Sequence, residues 1–303
     1  MKYRPFGNTG MQVSEIGFGA DAVSGQGIYG MTDEADGIAA VQRAYELGVT
    51  FYDTAESYCE GRSEEVIGKV LGNKPDVIIC TKVSARGEGL AERMRSAAEE
   101  SLRRLQRDAI DVYLLHNPSI AQIADPAVQA VLEALQTDGL VRTYGVSCVT
   151  SLTLEQGEET LRQGGYTSMQ VPLNIFQQQI VDELLPRSQE AGVGIAARVP
   201  LASGLLSGKY TSATRFAEND ARGNGIVPRA QMERELEKVP ALAVLAEEQG
   251  VSLAQAALAW VLIHAGVSTT IPGAKNIAQA ESNSTAGDVS LAPKFLEYVR
   301  SLR

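Results

Sequence analysis

Apolar residues occur along the chain in short continuous runs, separated by longer polar and amphipathic segments. The runs are rich in Val, Ile and Tyr and show little alternation, which is typical of strands buried on both faces of a parallel sheet. Most runs start roughly 25 to 35 residues after the previous one, the size of one strand–helix unit. Eight runs fit this description, and they begin at Ile16, Val49, Asp76, Ala109, Thr143, Ser168, Gly192 and Ser268.

The segments between these runs carry apolar residues at helical spacing. One such stripe lies within Met94–Leu105 and another within Val128–Leu135. A later helix is predicted to begin after Ser252, because Ser252 followed by Gln255 matches a capping box. The pattern therefore predicts helices that alternate with buried strands.

Eight consecutive strand–helix units without a break in composition predict an α/β fold, a parallel (β/α)8 TIM barrel. We interpret residues 1–303 as a single barrel domain. The alternative is a doubly wound sheet, which is disfavoured because no GxGxxG sequence follows the first strand.

Three segments are predicted to form turns or loops, and the first two depart from this regular alternation. The turn-rich sequence Gly7–Gly10 precedes the first barrel strand and predicts an N-terminal β-hairpin that plugs the bottom of the barrel. A long loop between strands 7 and 8 includes the polar stretch Thr211–Ala230, for which we predict a lid or binding loop. The glycine-rich stretch Gly25–Gly30 is interpreted as a loop.

Charge and composition narrow the range of partners. The chain has 27 Lys and Arg against 37 Asp and Glu, and its net charge of −10 argues against nucleic-acid binding. The most apolar stretch, Leu253–Val267, is too short to cross a bilayer, and the N-terminal segment lacks an apolar core of signal-peptide length. We therefore expect a cytoplasmic protein with no membrane association. Three cysteines and two histidines predict neither a disulfide framework nor a metal site.

Polar residues at the predicted strand ends are candidates for chemistry, because the active sites of such barrels lie at the C-terminal ends of the strands. Asp53 and Tyr58 follow the second strand, Lys82 ends the third and His116 ends the fourth. A lysine on a buried strand needs a carboxylate partner, and Asp53 is well placed to supply it.

These four residues predict a specific proton chemistry. The ammonium of Lys82, directed at Tyr58, is expected to favour the tyrosinate and to lower the pKa of the phenol. A tyrosine of this kind can protonate the oxygen of a carbonyl group while a hydride reaches its carbon. His116 can hydrogen-bond the same oxygen and fix its direction.

The chain resembles the aldo-keto reductase family in a series of motifs that include these residues. The resemblance extends from Tyr3 to about Asn283, in the order expected of the family. The motifs are Phe51–Tyr58, Gly61–Glu65, Cys80–Val83, Ser101–Leu105, Ile110–His116, Gly145–Ser147, Pro200–Tyr210 and Ile271–Lys275.

The resemblance implies an NAD(P)(H)-dependent reductase of small aldehydes or ketones that uses no metal. It implies that Tyr58 is the general acid, that Asp53 and Lys82 tune it, and that His116 orients the substrate. It also implies the cofactor-binding positions. These are Ser147 and Gln170 at the nicotinamide carboxamide, Pro200, Leu201, Gly204 and Lys209 along the pyrophosphate, Gly273, Lys275, Gln279 and Asn283 around the adenosine and any 2′-phosphate, and in addition Ala20 and Arg198.

Three positions depart from the common pattern of the family. Cys148 replaces the usual Asn, so that one hydrogen bond to the carboxamide is expected to be lost or replaced. Arg198 replaces the aromatic residue that stacks under the nicotinamide, and its guanidinium is expected to lie flat against the ring. Gln279 replaces an Arg found in many NADP-specific members, which leaves Lys275 as the main candidate cation. We expect NADP(H) to be preferred and NAD(H) to be usable.

Two other functions compete with this prediction. One is a cofactor-binding regulatory subunit with slow or vestigial turnover, because some barrels with this resemblance bind their cofactor and modulate a partner. The other is a non-redox barrel enzyme such as an isomerase or aldolase. The intact set of Asp53, Tyr58, Lys82 and His116 favours turnover. Cys59, beside Tyr58, is interpreted as a bystander thiol, and no sequence feature predicts an oligomeric state.

Overall fold

The computed structural model describes residues 1–21 and 23–303, and within them eight parallel strands form one barrel sheet flanked by two antiparallel hairpins. In chain order the strands are β1 (Tyr3–Pro5), β2 (Gln12–Ser14), β3 (Phe18–Gly19), β4 (Gly25–Gly27), β5 (Gly30–Thr32), β6 (Phe51–Asp53), β7 (Ile78–Ser84), β8 (Ile110–His116), β9 (Val141–Ser147), β10 (Ser168–Pro172), β11 (Gly194–Arg198) and β12 (Thr269–Thr270). The barrel order is β3, then β6 to β12 in sequence. Each of the eight predicted runs overlaps one barrel strand, which confirms the predicted fold.

The barrel closes where its first and last strands meet. Parallel bridges join Ile16 to Thr270 and Gly19 to Gly273, and the Gly19 N–H donates to Pro272 O at 3.0 Å. A Cβ atom on Gly19 would lie 2.9 Å from Ile271 O. A glycine is therefore needed for the backbones to approach this closely.

Helices surround the barrel and cover the outer faces of its strands. Those of the described residues are α1 (Glu34–Glu46), α2 (Arg62–Leu71), α3 (Leu90–Leu105), α4 (Ile120–Ile123), α5 (Pro126–Thr137), α6 (Thr153–Gln163), α7 (Leu184–Glu190), α8 (Arg229–Leu236), α9 (Val239–Glu247), α10 (Leu253–Leu262), α11 (Ile277–Ser284) and α12 (Pro293–Arg300). The two predicted apolar stripes lie on α3 and α5, and the predicted capping box at Ser252 begins α10. None of these helices is both long and apolar enough to span a bilayer.

The N-terminal hairpin, β1 and β2, fills the bottom of the barrel as predicted. The hairpin contributes Phe6 and Val13, both fully buried, to an apolar cluster inside the barrel. The remaining buried members lie on the barrel strands or directly after one, and they are Phe51, Cys80, Val112, Leu114, Ala196 and Ile271. This packing fills the lower barrel with apolar side chains and leaves the polar strand ends at the opposite mouth.

Side chains alternate along each barrel strand between the interior and the layer beneath the helices. On β6, Phe51 belongs to the interior cluster and Tyr52 packs in the outer layer, so that Asp53 points inward. The same alternation carries Lys82 and His116 inward, since they lie two residues beyond Cys80 and Leu114. The polar residues of neighbouring strands therefore meet at one end of the barrel.

The structure corrects the prediction for Gly25–Gly30. This stretch was expected to be a loop, but Gly25–Thr32 forms the hairpin of β4 and β5. Three glycines in eight residues hide any apolar alternation, and the hairpin is supported by a distant segment. The Ala221 N–H donates to Ile28 O at 2.9 Å, and Tyr29 bridges to Asp220. The long loop between β11 and β12 is present as predicted, and it reaches across the barrel mouth to this hairpin.

Candidate active site

Four of the predicted side chains meet at the mouth of the barrel. Lys82 Nζ lies 2.8 Å from Asp53 Oδ1 and 3.3 Å from the hydroxyl oxygen of Tyr58. The same ammonium is 4.7 Å from the centre of the Tyr58 ring. The ring of His116 stands edge-on to Tyr58, with ring centres 5.8 Å apart. The structure therefore brings together residues from β6, β7, β8 and the turn after β6.

A second chain of hydrogen bonds crosses the barrel to the same carboxylate. Gln170 Nε2 donates to Asp53 Oδ1 at 2.6 Å, and Ser147 Oγ donates to Gln170 Oε1 at 3.1 Å. Because β6 and β10 lie on opposite sides of the barrel, this contact spans the interior. Ser147 and Gln170, the two residues predicted at the carboxamide, are thus fixed beside the Asp53–Lys82 pair.

The buried lysine is cationic. Burial lowers the pKa of Lys82, but the attraction of Asp53, together with smaller contributions from Tyr58 and Cys80, raises it above its usual value. Its Nζ also donates to Thr54 O at 2.7 Å. A fully buried ammonium with these acceptors remains charged throughout the physiological pH range.

The prediction that the pKa of Tyr58 is lowered is wrong. Burial of the phenol raises its pKa to about 12, and the Lys82 charge only partly offsets that increase. The carboxylates of Asp53 and Asp21 act in the same direction as burial. Tyr58 is therefore protonated at neutral pH, which is the form that a proton donor requires.

His116 is neutral at physiological pH. Burial lowers its pKa to about 3, and the positive charges of Lys82, Arg198 and Arg86 act in the same direction. Its Nδ1 lies 3.4 Å from Ser57 Oγ. A neutral imidazole carries one N–H donor, which suits it to hydrogen-bond an oxygen held near Tyr58.

The loop that follows β11 has strained backbone where the pyrophosphate-binding residues were predicted. Val199, Ala202 and Ser203 all adopt left-handed conformations, with φ of 53°, 47° and 55°. Left-handed β-branched residues are rare, and such strain concentrates at ligand-binding segments. Along this loop Pro200 is buried, Leu201 and Gly204 are half-buried and Lys209 is exposed.

Two segments meet above the barrel mouth, the hairpin of residues 25–32 and residues 203–222 of the long loop; we call them together the strap. Tyr29 Oη lies 3.1 Å from Ser203 Oγ, and Arg222 pairs with Asp220 at 2.6 Å. The guanidinium of Arg222 also packs against aromatic rings, including Phe216 at 4.3 Å. The strap is therefore held by specific contacts: a hydrogen bond, an ion pair and the packing of a guanidinium against aromatic rings.

Lys275 anchors the hairpin side of the strap. Its Nζ donates to Tyr29 O at 2.7 Å and approaches the carbonyl oxygens of Gly30 and Met31 at 3.4 Å. Burial and the nearby Arg222 charge lower the pKa of Lys275. These contacts could not be predicted from local sequence patterns, because they join residues far apart in the chain.

The remaining predicted cofactor positions shape the backbone near the closure of the barrel. Gln279 Oε1 accepts the Lys275 N–H at 2.9 Å, and Asn283 Nδ2 donates to Gly273 O at 3.3 Å. The Ala20 N–H donates to Asp53 O at 2.8 Å. The structure places Ala20, Gly273, Gln279 and Asn283 around one edge of the barrel mouth.

Arg198 extends from β11 across the end of β10 towards β9. Its Nη2 donates to Cys148 O at 2.9 Å and to Thr150 Oγ1 at 3.0 Å, while its Nε is buried without a hydrogen-bond partner. The Cys148 side chain is buried in the apolar layer beneath the helices and makes no polar contribution to the mouth. Whether the guanidinium stacks on a nicotinamide remains a prediction.

The geometry defines a (β/α)8 barrel with a buried Asp–Lys pair, a protonated tyrosine and a neutral histidine at its strand ends. Residues 15–303 match the model of the Aldo/keto reductase family. The chain is 30% identical over its whole length to 96% of a probable voltage-gated potassium channel subunit beta of Arabidopsis thaliana. It is 31% identical, over 94% of its length, to 88% of aldo-keto reductase YhdN of Bacillus subtilis.

A solved structure agrees with these sequence relatives. An aldo-keto reductase from Klebsiella pneumoniae in complex with NADPH is 27% identical, with a TM-score of 0.77 over the whole of this chain and 95% of its own. The chain belongs to the aldo/keto reductase family.

Proposed function

We propose that this protein reduces a small aldehyde or ketone to an alcohol with NADPH, and that Tyr58 donates the proton. Family membership supports an oxidoreductase that acts on carbonyl groups and on the corresponding alcohols. The observation that carries the residue assignment is the Tyr58 hydroxyl, which lies 3.3 Å from the ammonium of a buried Asp53–Lys82 pair.

Each of the four residues has a distinct part in the proposed chemistry. When NADP(H) is bound, its nicotinamide supplies the hydride. Tyr58 donates its proton to the carbonyl oxygen as negative charge develops there. Lys82 then stabilises the phenolate that remains, and Asp53 keeps Lys82 charged. His116, neutral at this pH, donates an N–H to the same oxygen and directs it at Tyr58.

Several features of the mouth fit a dinucleotide with a phosphate-rich centre. Arg198 has a buried Nε without a hydrogen-bond partner and donates through Nη2 to the backbone of Cys148, the residue after Ser147. The loop after β11 is left-handed, and the Klebsiella relative binds NADPH. The residues proposed to hold NADP(H) are Ala20, Ser147, Gln170, Arg198, Pro200, Leu201, Gly204, Lys209, Gly273, Lys275, Gln279 and Asn283.

Lys275→Ala is expected to raise the Kd for NADPH by about tenfold and the Kd for NADH by much less, because one point charge on a phosphate is lost. Fluorescence titration of both cofactors measures this. Lys209→Ala is the matched control: its proposed contact is the pyrophosphate, common to both cofactors, so both Kd values should rise equally. Equal losses for Lys275→Ala would show that Lys275 does not read the 2′-phosphate.

The kcat for reduction is expected to be constant from about pH 5 to pH 9. Tyr58 is protonated below its pKa of about 12, and His116 is neutral above its pKa of about 3. Activity should therefore fall only as alkaline pH begins to ionise Tyr58. Steady-state kinetics at saturating NADPH in constant-ionic-strength buffers test this. A decline centred near pH 8 would mean that Lys82 lowers the Tyr58 pKa after all.

A regulatory role is the second candidate, and the relative named as a potassium channel subunit favours it. The two functions differ in turnover. We expect NADPH titration followed by a screen of small aldehydes, ketones and quinones to give many turnovers per chain with at least one substrate. Oxidation limited to one equivalent of bound NADPH would favour the regulatory role, and failure to bind either nicotinamide cofactor would favour a non-redox barrel enzyme.

A further inference from the structure

The turn that carries Tyr58 has an unusual backbone. Cys59, Glu60 and Gly61 adopt left-handed conformations in succession, with φ of 48°, 55° and 86°. Two of these residues are not glycine, so the conformation costs energy and persists only where the surroundings enforce it. Something outside the turn must therefore hold it.

The far end of the turn rests on a side chain from α3. A Cβ atom on Gly61 would lie 2.9 Å from both Cδ and Nε of Arg104, so the bare glycine backbone packs directly against that side chain. Arg104 is only 13% exposed, which is low for an arginine on an outer helix. The contact needs a glycine at 61 and a rigid arginine beneath it.

Arg104 is fixed by hydrogen bonds on several sides. Its Nε donates to Glu64 Oε2 at 2.6 Å and its Nη1 to Glu100 Oε1 at 3.1 Å. A weaker contact joins Nη2 to Ser101 Oγ at 3.4 Å. A guanidinium held in this way presents one fixed surface to Gly61.

Glu64 connects this support to the strand of the lysine. The Glu64 side chain is fully buried, and its Oε1 accepts the hydroxyl of Thr81, the residue before Lys82. One carboxylate thus bonds both to β7 and to the arginine beneath the Tyr58 turn. These hydrogen bonds of Glu64 do not include the Asp53–Lys82 pair.

We infer that Arg104 and Glu64 are positioning residues, which set the place of the Tyr58 hydroxyl relative to the Lys82 ammonium. The inference rests on the proposed function of Tyr58 as proton donor. Neither residue touches the reacting atoms. Arg104 acts through its contact with Gly61, and Glu64 acts through its hydrogen bond with Thr81. A displacement of about 1 Å at a catalytic group costs on the order of 100-fold in rate.

Three variants test this inference: Arg104→Met, Arg104→Lys and Arg103→Met. Arg103 is the matched control, since it is the adjacent residue of α3, pairs with the same Glu100 and is 67% exposed. Arg104→Met is expected to lower kcat about 10- to 100-fold, with the Kd for NADPH changed by less than about twofold. Arg104→Lys should recover part of the loss, and Arg103→Met should resemble the wild type.

The pH profile separates positioning from a general structural effect. Burial is what raises the pKa of Tyr58, so a loosened turn lets water reach the phenol. The alkaline decline in kcat should therefore move to lower pH in Arg104→Met. An unmoved decline, or a fall in kcat matched by equal losses in folded fraction and cofactor binding, would overturn the inference.

A second variant covers the case in which Arg104→Met does not fold, since that change leaves the Glu64 charge buried and unpaired. Glu64→Gln combined with Arg104→Met removes both charges and keeps an acceptor for Thr81. This double variant is expected to show the same loss of kcat as Arg104→Met. Wild-type kcat in the folded double variant would overturn the inference.

Hydrogen exchange distinguishes failure of this inference from failure of the proposed function. Amides 59–61 should exchange roughly tenfold faster in the folded variant than in the wild type, whatever reaction the protein performs. If the wild type shows no carbonyl reduction, the proposed function is wrong. Hydrogen exchange at amides 59–61 then tests by itself whether Arg104 and Glu64 position the Tyr58 turn. If exchange at these amides is unchanged, the positioning is wrong even where the wild type turns over.

Discussion

Tyr58→Phe is expected to lower kcat for carbonyl reduction by about 10²- to 10⁴-fold, the usual contribution of a general acid. Only the phenol carries the proton, while the phenyl ring still packs against His116 and beneath the Lys82 ammonium. The Kd for NADPH should therefore change by less than about twofold. Stopped-flow oxidation of NADPH and fluorescence titration measure the two quantities.

Tyr45→Phe is the control for Tyr58→Phe. Tyr45 lies on α1, and its hydroxyl makes only a long contact, 3.4 Å, to Asp76. This variant should keep the wild-type rate. If Tyr58→Phe retains more than about a tenth of the wild-type kcat, Tyr58 is not the general acid.

Lys82→Met is expected to lower the free energy of unfolding by about 3 to 5 kcal/mol and to abolish turnover. The substitution leaves the Asp53 carboxylate buried without its ammonium partner, although Gln170 still donates to it at 2.6 Å. The loss of Lys82 also removes the charge that stabilises a Tyr58 phenolate. Urea unfolding followed by circular dichroism, alongside turnover, measures both effects.

Asp53→Asn combined with Lys82→Met separates stability from chemistry. The double variant has no unpaired buried charge, and replacing both partners of a buried pair is often close to neutral for stability. We expect most of the lost unfolding free energy to return while turnover stays absent. A double variant with substantial activity would show that the pair serves folding and has no part in proton transfer.

The barrel could be predicted from the sequence because each strand is buried on both faces and appears as a continuous apolar run, as at Asp76–Val83. The hairpin Gly25–Thr32 could not be. Its strands are three residues long and rich in glycine, and its partners, Asp220 and Ala221, lie almost two hundred positions away. Local pattern carries no signal for such a contact.

The sequence was sufficient to predict the site residues that lie at the ends of barrel strands. Asp53, Lys82 and His116 lie where alternation along parallel strands must direct them. The pKa of Tyr58 was predicted in the wrong direction, because the charge of Lys82 can be inferred from sequence but the burial of the phenol cannot. Glu64 and Arg104 occur in the motifs, yet only the left-handed turn at Gly61 reveals what they support.

Transfer of deuterium from NADPH labelled at nicotinamide C4 tests the central claim most directly. The protein would be incubated with excess labelled cofactor and each carbonyl compound of the screen, and the alcohol analysed by mass spectrometry and NMR. The account predicts many equivalents of alcohol per chain, with deuterium on the carbinol carbon in the wild type and almost no product with Tyr58→Phe. Tight NADPH binding with no labelled alcohol from any carbonyl compound would contradict it.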